Sequence, residues 1–294
     1  MNNRFLFLFL SIFSSFSFAQ SNTDIYLLEV EEKAEGYTIN SATQITRNLG
    51  YDNQPYFSIE GNFLLYASAK PGYSQSDIYA LDIRNWSLNA WTSTPNESEF
   101  SPNFMPDPKF YSVVKVEKDS SQRIWKIPVT FDGKTKPQVL FPLEKKVGYY
   151  AWITAEDVVA FMVGDPFTLY AMNTEKSAKT VIDKNIGRTI LKVPGEKAVT
   201  YVRKNDDGWK IMKWDLETQK STVVIRCLEG SEDFTWTSKG AILMGQDGIL
   251  YRFNPKKDKD WVKVADLTTK GLKNFYRLAI NSAGNKIAVV TEVK

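Results

Sequence analysis

The chain has 294 residues, of which 43% are hydrophobic, 24% charged and 14% aromatic, an ordinary globular balance that excludes global disorder. It has no histidine and one cysteine, which excludes a Ser-His-Asp or Cys-His nucleophile system, His-ligated zinc, a cysteine cluster and an intrachain disulfide. A formal charge of +3 with no Lys/Arg-rich readout motif excludes a nucleic-acid partner as the first expectation.

Residues 1–19 read as a secretory signal peptide. Arg4 forms a short positive start, Phe5 to Phe13 is an apolar run, and Ser17-Phe18-Ala19 puts small side chains where a signal peptidase cuts. The run is too short to span a bilayer, and no later apolar stretch reaches that length, so no transmembrane span is expected in the mature chain. Cleavage before Gln20 leaves 36 basic and 34 acidic side chains, a charge of +2. The expected location is periplasmic or secreted. In an oxidising compartment the lone Cys227, within an apolar stretch, reads as a buried small hydrophobe.

After the leader, one short string recurs along the chain: a bulky aliphatic, usually an aromatic, then alternating residues. It starts at Ile25, Ile78, Ile124, Leu169, Ile211 and Leu250, with steps of 53, 46, 45, 42 and 39 residues. A drifting period near 45 is the size of a four-stranded propeller blade. Most copies follow a hairpin signal, an apolar strand, a turn and a second apolar strand. The clearest runs Pro55-Tyr56-Phe57-Ser58, turn Glu60-Gly61-Asn62, then Phe63 to Ala67. Later copies begin at Pro102, Tyr150, Ile190, Phe234 and Arg277. A closing strand is expected at Leu88–Thr92, Gln138–Phe141, Thr180–Ile182, Ser221–Arg226 and Val262–Leu267.

Five complete units fit between about residues 50 and 268. The N-terminal half-unit (Asp24–Val30, then Thr43–Arg47) and the C-terminal half-unit (Leu272–Val293) supply complementary strands for a sixth. The expected fold is all-β: a six-bladed β-propeller whose N- and C-terminal strands share one blade. Such a ring leaves no open sheet edge. Residues 20–294 are then one domain, with no room for a separate catalytic module.

The string Gln54 to Ser68, followed by Ser76-Asp77-Ile78-Tyr79-Ala80-Leu81-Asp82, resembles the TolB-type repeat, one of the WD40-like β-propeller repeats. In that family the hairpin turn commonly reads Ser-Pro-Asp-Gly-Lys and the third strand Asp-Ile-Tyr-Val-Met-Asp. The turns here are degenerate, as at Met105-Pro106-Asp107-Pro108-Lys109. The resemblance covers nearly the whole mature chain and implies the fold. The N-terminal α/β domain of TolB has no counterpart, so the envelope role of TolB does not transfer.

In a propeller the innermost strands line the channel, and the loops entering them form one rim. Superposing the six hairpins nominates Asp52, Asn53, Glu99, Phe100, Tyr149, Tyr150, Arg188, Glu232, Asp233, Tyr276 and Arg277 as rim residues. Aromatic faces take sugar rings or apolar side chains, and arginine takes carboxylates. The function expected is an exported, non-catalytic binding or scaffolding propeller whose rim engages a protein, a peptide or an envelope glycan. The alternative is a glycoside hydrolase-like enzyme using Asp52, Glu99, Glu232 or Asp233 as paired carboxylates. A third reading is a structural subunit of an envelope assembly, using the outer blade edges. Asn205-Asp206-Asp207-Gly208 and Gln246-Asp247-Gly248 lack calcium-loop spacing and read as turns, so no metal or cofactor is expected.

Overall fold

A computed structural model describes residues 22–34, 36–70, 75–130 and 132–293. The leader at residues 1–19 lies outside the described residues. Strands dominate, and among the described residues the only helix is a single 3-10 turn, Thr268–Lys270. No described helix is long and apolar enough to cross a membrane.

The first hairpin is β1 (Thr23–Lys33) with β2 (Gly36–Gln44). Then follow β3 (Tyr51–Phe57), β4 (Phe63–Ala69), β5 (Asp77–Asp82) and β6 (Ser87–Ala90). The next four are β7 (Ser98–Phe104), β8 (Phe110–Val116), β9 (Gln122–Pro128) and β10 (Gln138–Val139). After them come β11 (Val147–Trp152), β12 (Asp157–Met162), β13 (Thr168–Asn173) and β14 (Lys176–Lys184). A further set is β15 (Ile186–Lys192), β16 (Ala198–Asn205), β17 (Gly208–Asp215) and β18 (Lys220–Arg226). The last are β19 (Phe234–Trp236), β20 (Ile242–Gln246), β21 (Ile249–Phe253) and β22 (Val262–Asp266), then β23 (Phe275–Ile280) and β24 (Lys286–Glu292).

Four sheets are separate four-stranded antiparallel units: β7–β10, β11–β14, β15–β18 and β19–β22. A larger sheet joins β3–β6 to a run ordered β23-β24-β1-β2 through one parallel pair, Thr23 with Tyr51. In that run, seven residues of β1 pair antiparallel with β24, from Thr23 with Glu292 to Glu29 with Lys286. The first and last described strands therefore pair in one sheet.

One boundary differs from expectation. The strand placed at Thr43–Arg47 is instead β2, Gly36–Gln44. Tyr37 and Ile39 pack into the core, and the hairpin turns at Gly36, whose φ is 150°. A Cβ there would lie 2.4 Å from the Val264 carbonyl oxygen, so the turn requires glycine. The charged stretch at residues 31–35 hid this strand from a pattern search. Ile45 and Thr46 still donate their backbone N–H groups to the Ile25 carbonyl.

Among the described residues the core consists of six apolar clusters, each between neighbouring units. Leu65, Ala67 and Ile78 meet Tyr111 and Val113; Val114 and Ile124 meet Tyr150 and Trp152. Val159 and Phe161 meet Tyr201 and Trp214, and Val202 and Ile211 meet Phe234 and Met244. Leu243 and Leu250 meet Leu28 and Val289. On the other face of that last sheet, Ile25, Leu27 and Val290 meet Leu64 and Tyr66. Strand alternation produces this: Ile25 and Leu27 bury one face of β1, while Leu28 and Val30 bury the other. Each fully buried aliphatic side chain contributes about 1.5–3 kcal/mol. Cys227 is buried as expected, and burial pushes its thiol up to about 12.

Candidate functional site

Five first strands share one irregularity. Their register breaks between Asn53 and Tyr56, Phe100 and Asn103, Val147 and Tyr149, Ile186 and Ile190, and Phe275 and Leu278. Bulges re-aim side chains and increase twist. Gln54 and Ser101 take positive φ of 60° and 52°, each followed by a proline that has no N–H to pair. The breaks coincide with the nominated rim strings.

The bulged residues converge on a belt of polar side chains. Arg188 Nε donates to Asp233 Oδ1 at 3.1 Å, and its Nη2 donates to Asp233 Oδ2. Thr189 Oγ1 donates to Asp233 Oδ1 at 3.0 Å. From the other side Arg277 Nε reaches Asp233 Oδ1 at 3.4 Å, while its Nη1 donates to Asn53 Oδ1 at 3.1 Å. Asn53 Nδ2 donates to the Tyr276 hydroxyl at 2.8 Å. The Ser101 N–H donates to Gln54 Oε1, which carries the belt on to β7. Arg277 lies over the Tyr149 ring and Arg188 over the Tyr276 ring, each 5.5 Å from the centroid. Tyr51 packs edge-on to Phe100 at 6.0 Å.

Asp233 is the hub. Burial alone would raise its carboxyl, but Arg277 and Arg188 outweigh burial and hold it below the usual carboxylate range. Burial would likewise lower Arg277, and Asp233 reverses that, so its guanidinium stays charged. Beside the belt, Glu232 accepts the Arg188 N–H at 3.0 Å and pairs with Lys204 at 3.0 Å.

Two cavities meet at Asp233. A mouth of about 670 Å³ is lined by Arg188, Asp233 and Tyr276 together with Glu229, Glu232, Asp247 and Glu292. A narrower cavity of about 110 Å³ is lined by residues of β3, β7, β11, β15 and β23 and by Phe234 of β19, with Asp233 and Arg277 in its wall. The Arg188–Asp233–Arg277 triad is the partition between the two.

Seven nominated residues belong to this region: Asn53, Tyr149, Arg188, Glu232, Asp233, Tyr276 and Arg277. Phe100 borders it through Tyr51. Of the other three, Tyr150 lines only the narrower cavity, and Asp52 and Glu99 line neither. Tyr150 is 3% exposed and its hydroxyl donates to Ser112 at 2.8 Å, deep among the blades. Asp52 and Glu99 are each fully buried, and strand alternation turns each away from the face of its neighbour, Asn53 or Phe100. The carboxylate quartet therefore does not assemble: two acids lie elsewhere and Asp233 is held by two arginines. Tyr51 and Lys204 were not nominated. Tyr51 was accessible to sequence reasoning because it shares a face with Asn53. Lys204 was not, since its contact with Glu232 crosses between sheets.

Asp52 gives a pH prediction. Burial among Thr23, Asp24 and Thr46 raises its carboxyl to about 6. A group raised in the folded state stabilises below the unfolded value near 3.8, and this is lost as pH rises through about 6. Asp52→Asn should therefore add up to about 3 kcal/mol at pH 7.5 and flatten the pH profile between about 4 and 6. Urea melts across pH check it; unchanged stability at pH 7.5 would refute the assignment.

Among the described residues no group of three or more Cys, Asp or Glu side chains is arranged to hold a metal ion. The Asn205–Gly208 and Gln246–Gly248 segments are hairpin turns.

No family model and no curated protein matches this chain. Solved structures do. A TolB from Acinetobacter baumannii matches at TM-score 0.58 and 9% identity, covering 92% of this chain and 64% of that one. The chain thus spans under two thirds of that protein. A putative TolB from Agrobacterium tumefaciens matches at TM-score 0.68 and 12% identity, over 94% of this chain and 100% of that one. An oligogalacturonate lyase in complex with manganese matches at TM-score 0.56 and 13% identity, over 90% and 78%. Identities this low speak to architecture alone, and the described chain has the β-propeller fold of the TolB type.

Proposed function

We propose that the chain is an exported binding module: residues 20–294 form one six-bladed ring behind a cleaved leader, and its mouth grips a polypeptide segment carrying lysine or arginine. Six apolar clusters between successive units, one of them joining the last unit to the first, support the closed ring. So does a central cavity walled by strands from every unit.

The acidic mouth carries the ligand reading. Glu232 and Asp233 are matched by Lys204 and Arg188. Glu229, Asp247 and Glu292 face the cavity with no ion pair among the described residues. In a chain of net positive charge this is a locally negative recess, and it favours a basic partner. Fluorescence polarisation with lysine-rich and glutamate-rich peptides tests it. The basic peptide should bind, and Asp247→Lys with Glu292→Lys should weaken it about tenfold or more, about 1.4 kcal/mol. Raising salt from about 0.05 to about 0.5 M should also weaken it. Equal binding of both peptides would refute the reading.

The likeness to an oligogalacturonate lyase keeps a carbohydrate-active reading in view. Turnover of oligogalacturonate by the purified protein would establish it.

A further inference from the structure

The acidic mouth is graded in charge from its edge to its floor. Its outer wall carries Glu229, Asp247 and Glu292, all exposed and all without an ion pair among the described residues. Its floor is the Arg188–Asp233–Arg277 partition. Around that floor three cations, Arg188, Arg277 and Lys204, face two carboxylates, Glu232 and Asp233. A positive charge is therefore left over at the bottom of a recess whose edge is negative.

Two hydrogen-bond donors at the floor are uncommitted. Arg188 uses Nε and Nη2 on Asp233, while its Nη1 makes no hydrogen bond among the described residues. The Arg188 side chain is 33% exposed, so that free edge meets the solvent of the mouth. Tyr276, whose ring lies against the same guanidinium, accepts from Asn53 Nδ2 at 2.8 Å and keeps its own hydroxyl proton. It too lines the mouth. A guanidinium edge beside a phenol O–H is a donor pair suited to a carboxylate.

The floor is also a stop. Beyond it the cavity narrows to about 110 Å³, and the buried Asp233 with its two arginines stands between. A strand running through the mouth has no exit, so the recess suits a chain end. An N-terminal ammonium would meet Arg188 and the positive excess. A C-terminal carboxylate would meet donors.

We propose, resting on the basic-peptide reading above, that the mouth takes the C-terminal end of its partner. The α-carboxylate sits on Arg188 Nη1 and the Tyr276 hydroxyl. The lysine or arginine side chains just before it lie against Glu229, Asp247 and Glu292. Capture of a terminal carboxylate is a recurring mode of peptide recognition, and the opposed charges of floor and edge fix the direction of insertion.

Fluorescence polarisation tests this with two lysine-rich peptides of one sequence, labelled at the N-terminus, one ending in a free carboxylate and one in a carboxamide. The amide carries the greater positive charge, so attraction by the acidic edge alone favours it. Carboxylate capture reverses that order, and the free acid should bind about tenfold more tightly. Arg188→Gln keeps a donor for Asp233 and should bring the acid-to-amide ratio to about one. Tyr276→Phe keeps the ring and should narrow the ratio severalfold. The comparison on the unsubstituted protein decides the matter even where a variant folds poorly. If the amide binds there as tightly as the acid, the inference fails while the basic-peptide reading stands. If neither peptide binds, both fail. A tenfold preference that survives both substitutions in folded protein also overturns the assignment.

Discussion

Replacing Asp233 with asparagine should destabilise the protein by about 3–5 kcal/mol, the range for removing one member of a buried ion pair. Asp233 is 4% exposed, and the variant would leave two guanidinium groups without their shared anion. Arg277 suffers most, because its remaining polar contacts, Asn53 and Tyr149, carry no carboxylate charge. The loss should shift the thermal midpoint by about 5–15 °C. Adding Arg277→Met to this background should recover part of it, since the uncompensated charge is then gone. The carboxylate is held below its usual range, so its contribution is complete above about pH 4 and vanishes as pH falls through its lowered value. A loss below about 1 kcal/mol in urea melts would show that the belt is rim decoration and not part of the fold.

A chain ending at Asn285 should not fold cooperatively. The cut removes β24, which fills the space between β23 and β1. Ile287, Ala288, Val289 and Val290 are fully buried and split between two clusters. The three larger side chains alone contribute about 5–9 kcal/mol, comparable to the whole stability of an ordinary domain. The cut also bares a long edge of β1, a template for pairing with other chains. The expected result is aggregation, with no sigmoidal urea transition. A soluble, cooperatively melting product would contradict a ring held by its two ends.

The sequence announced the repeated units because each carries the same three local signals: a turn, a β-branched or aromatic run, and a second turn. Gly61 and Gly284, both at φ 73°, mark two of those turns directly. Which rim side chains face the mouth was less legible. Alternation assigns faces only while the register holds, and it breaks in five first strands within a residue or two of the site. Asp52 and Asn53 were nominated together, yet they face opposite ways. The belt itself links residues more than 40 positions apart, such as Arg188 with Asp233 and Arg277 with Asn53. No local pattern encodes such pairs.

The pairing of β1 with β24 also sets an order of events during synthesis. Glu29 and Lys286 lie 257 residues apart, yet are neighbours in one ladder. β1 leaves the ribosome well before its partner, with the other described strands made in between. Until then Ile25, Leu27 and Leu28 have no finished sheet to enter, so closure is a late, long-range and slow step. A sheet that cannot be completed until β24 is made leaves the chain before it loosely structured and threadable through a narrow channel.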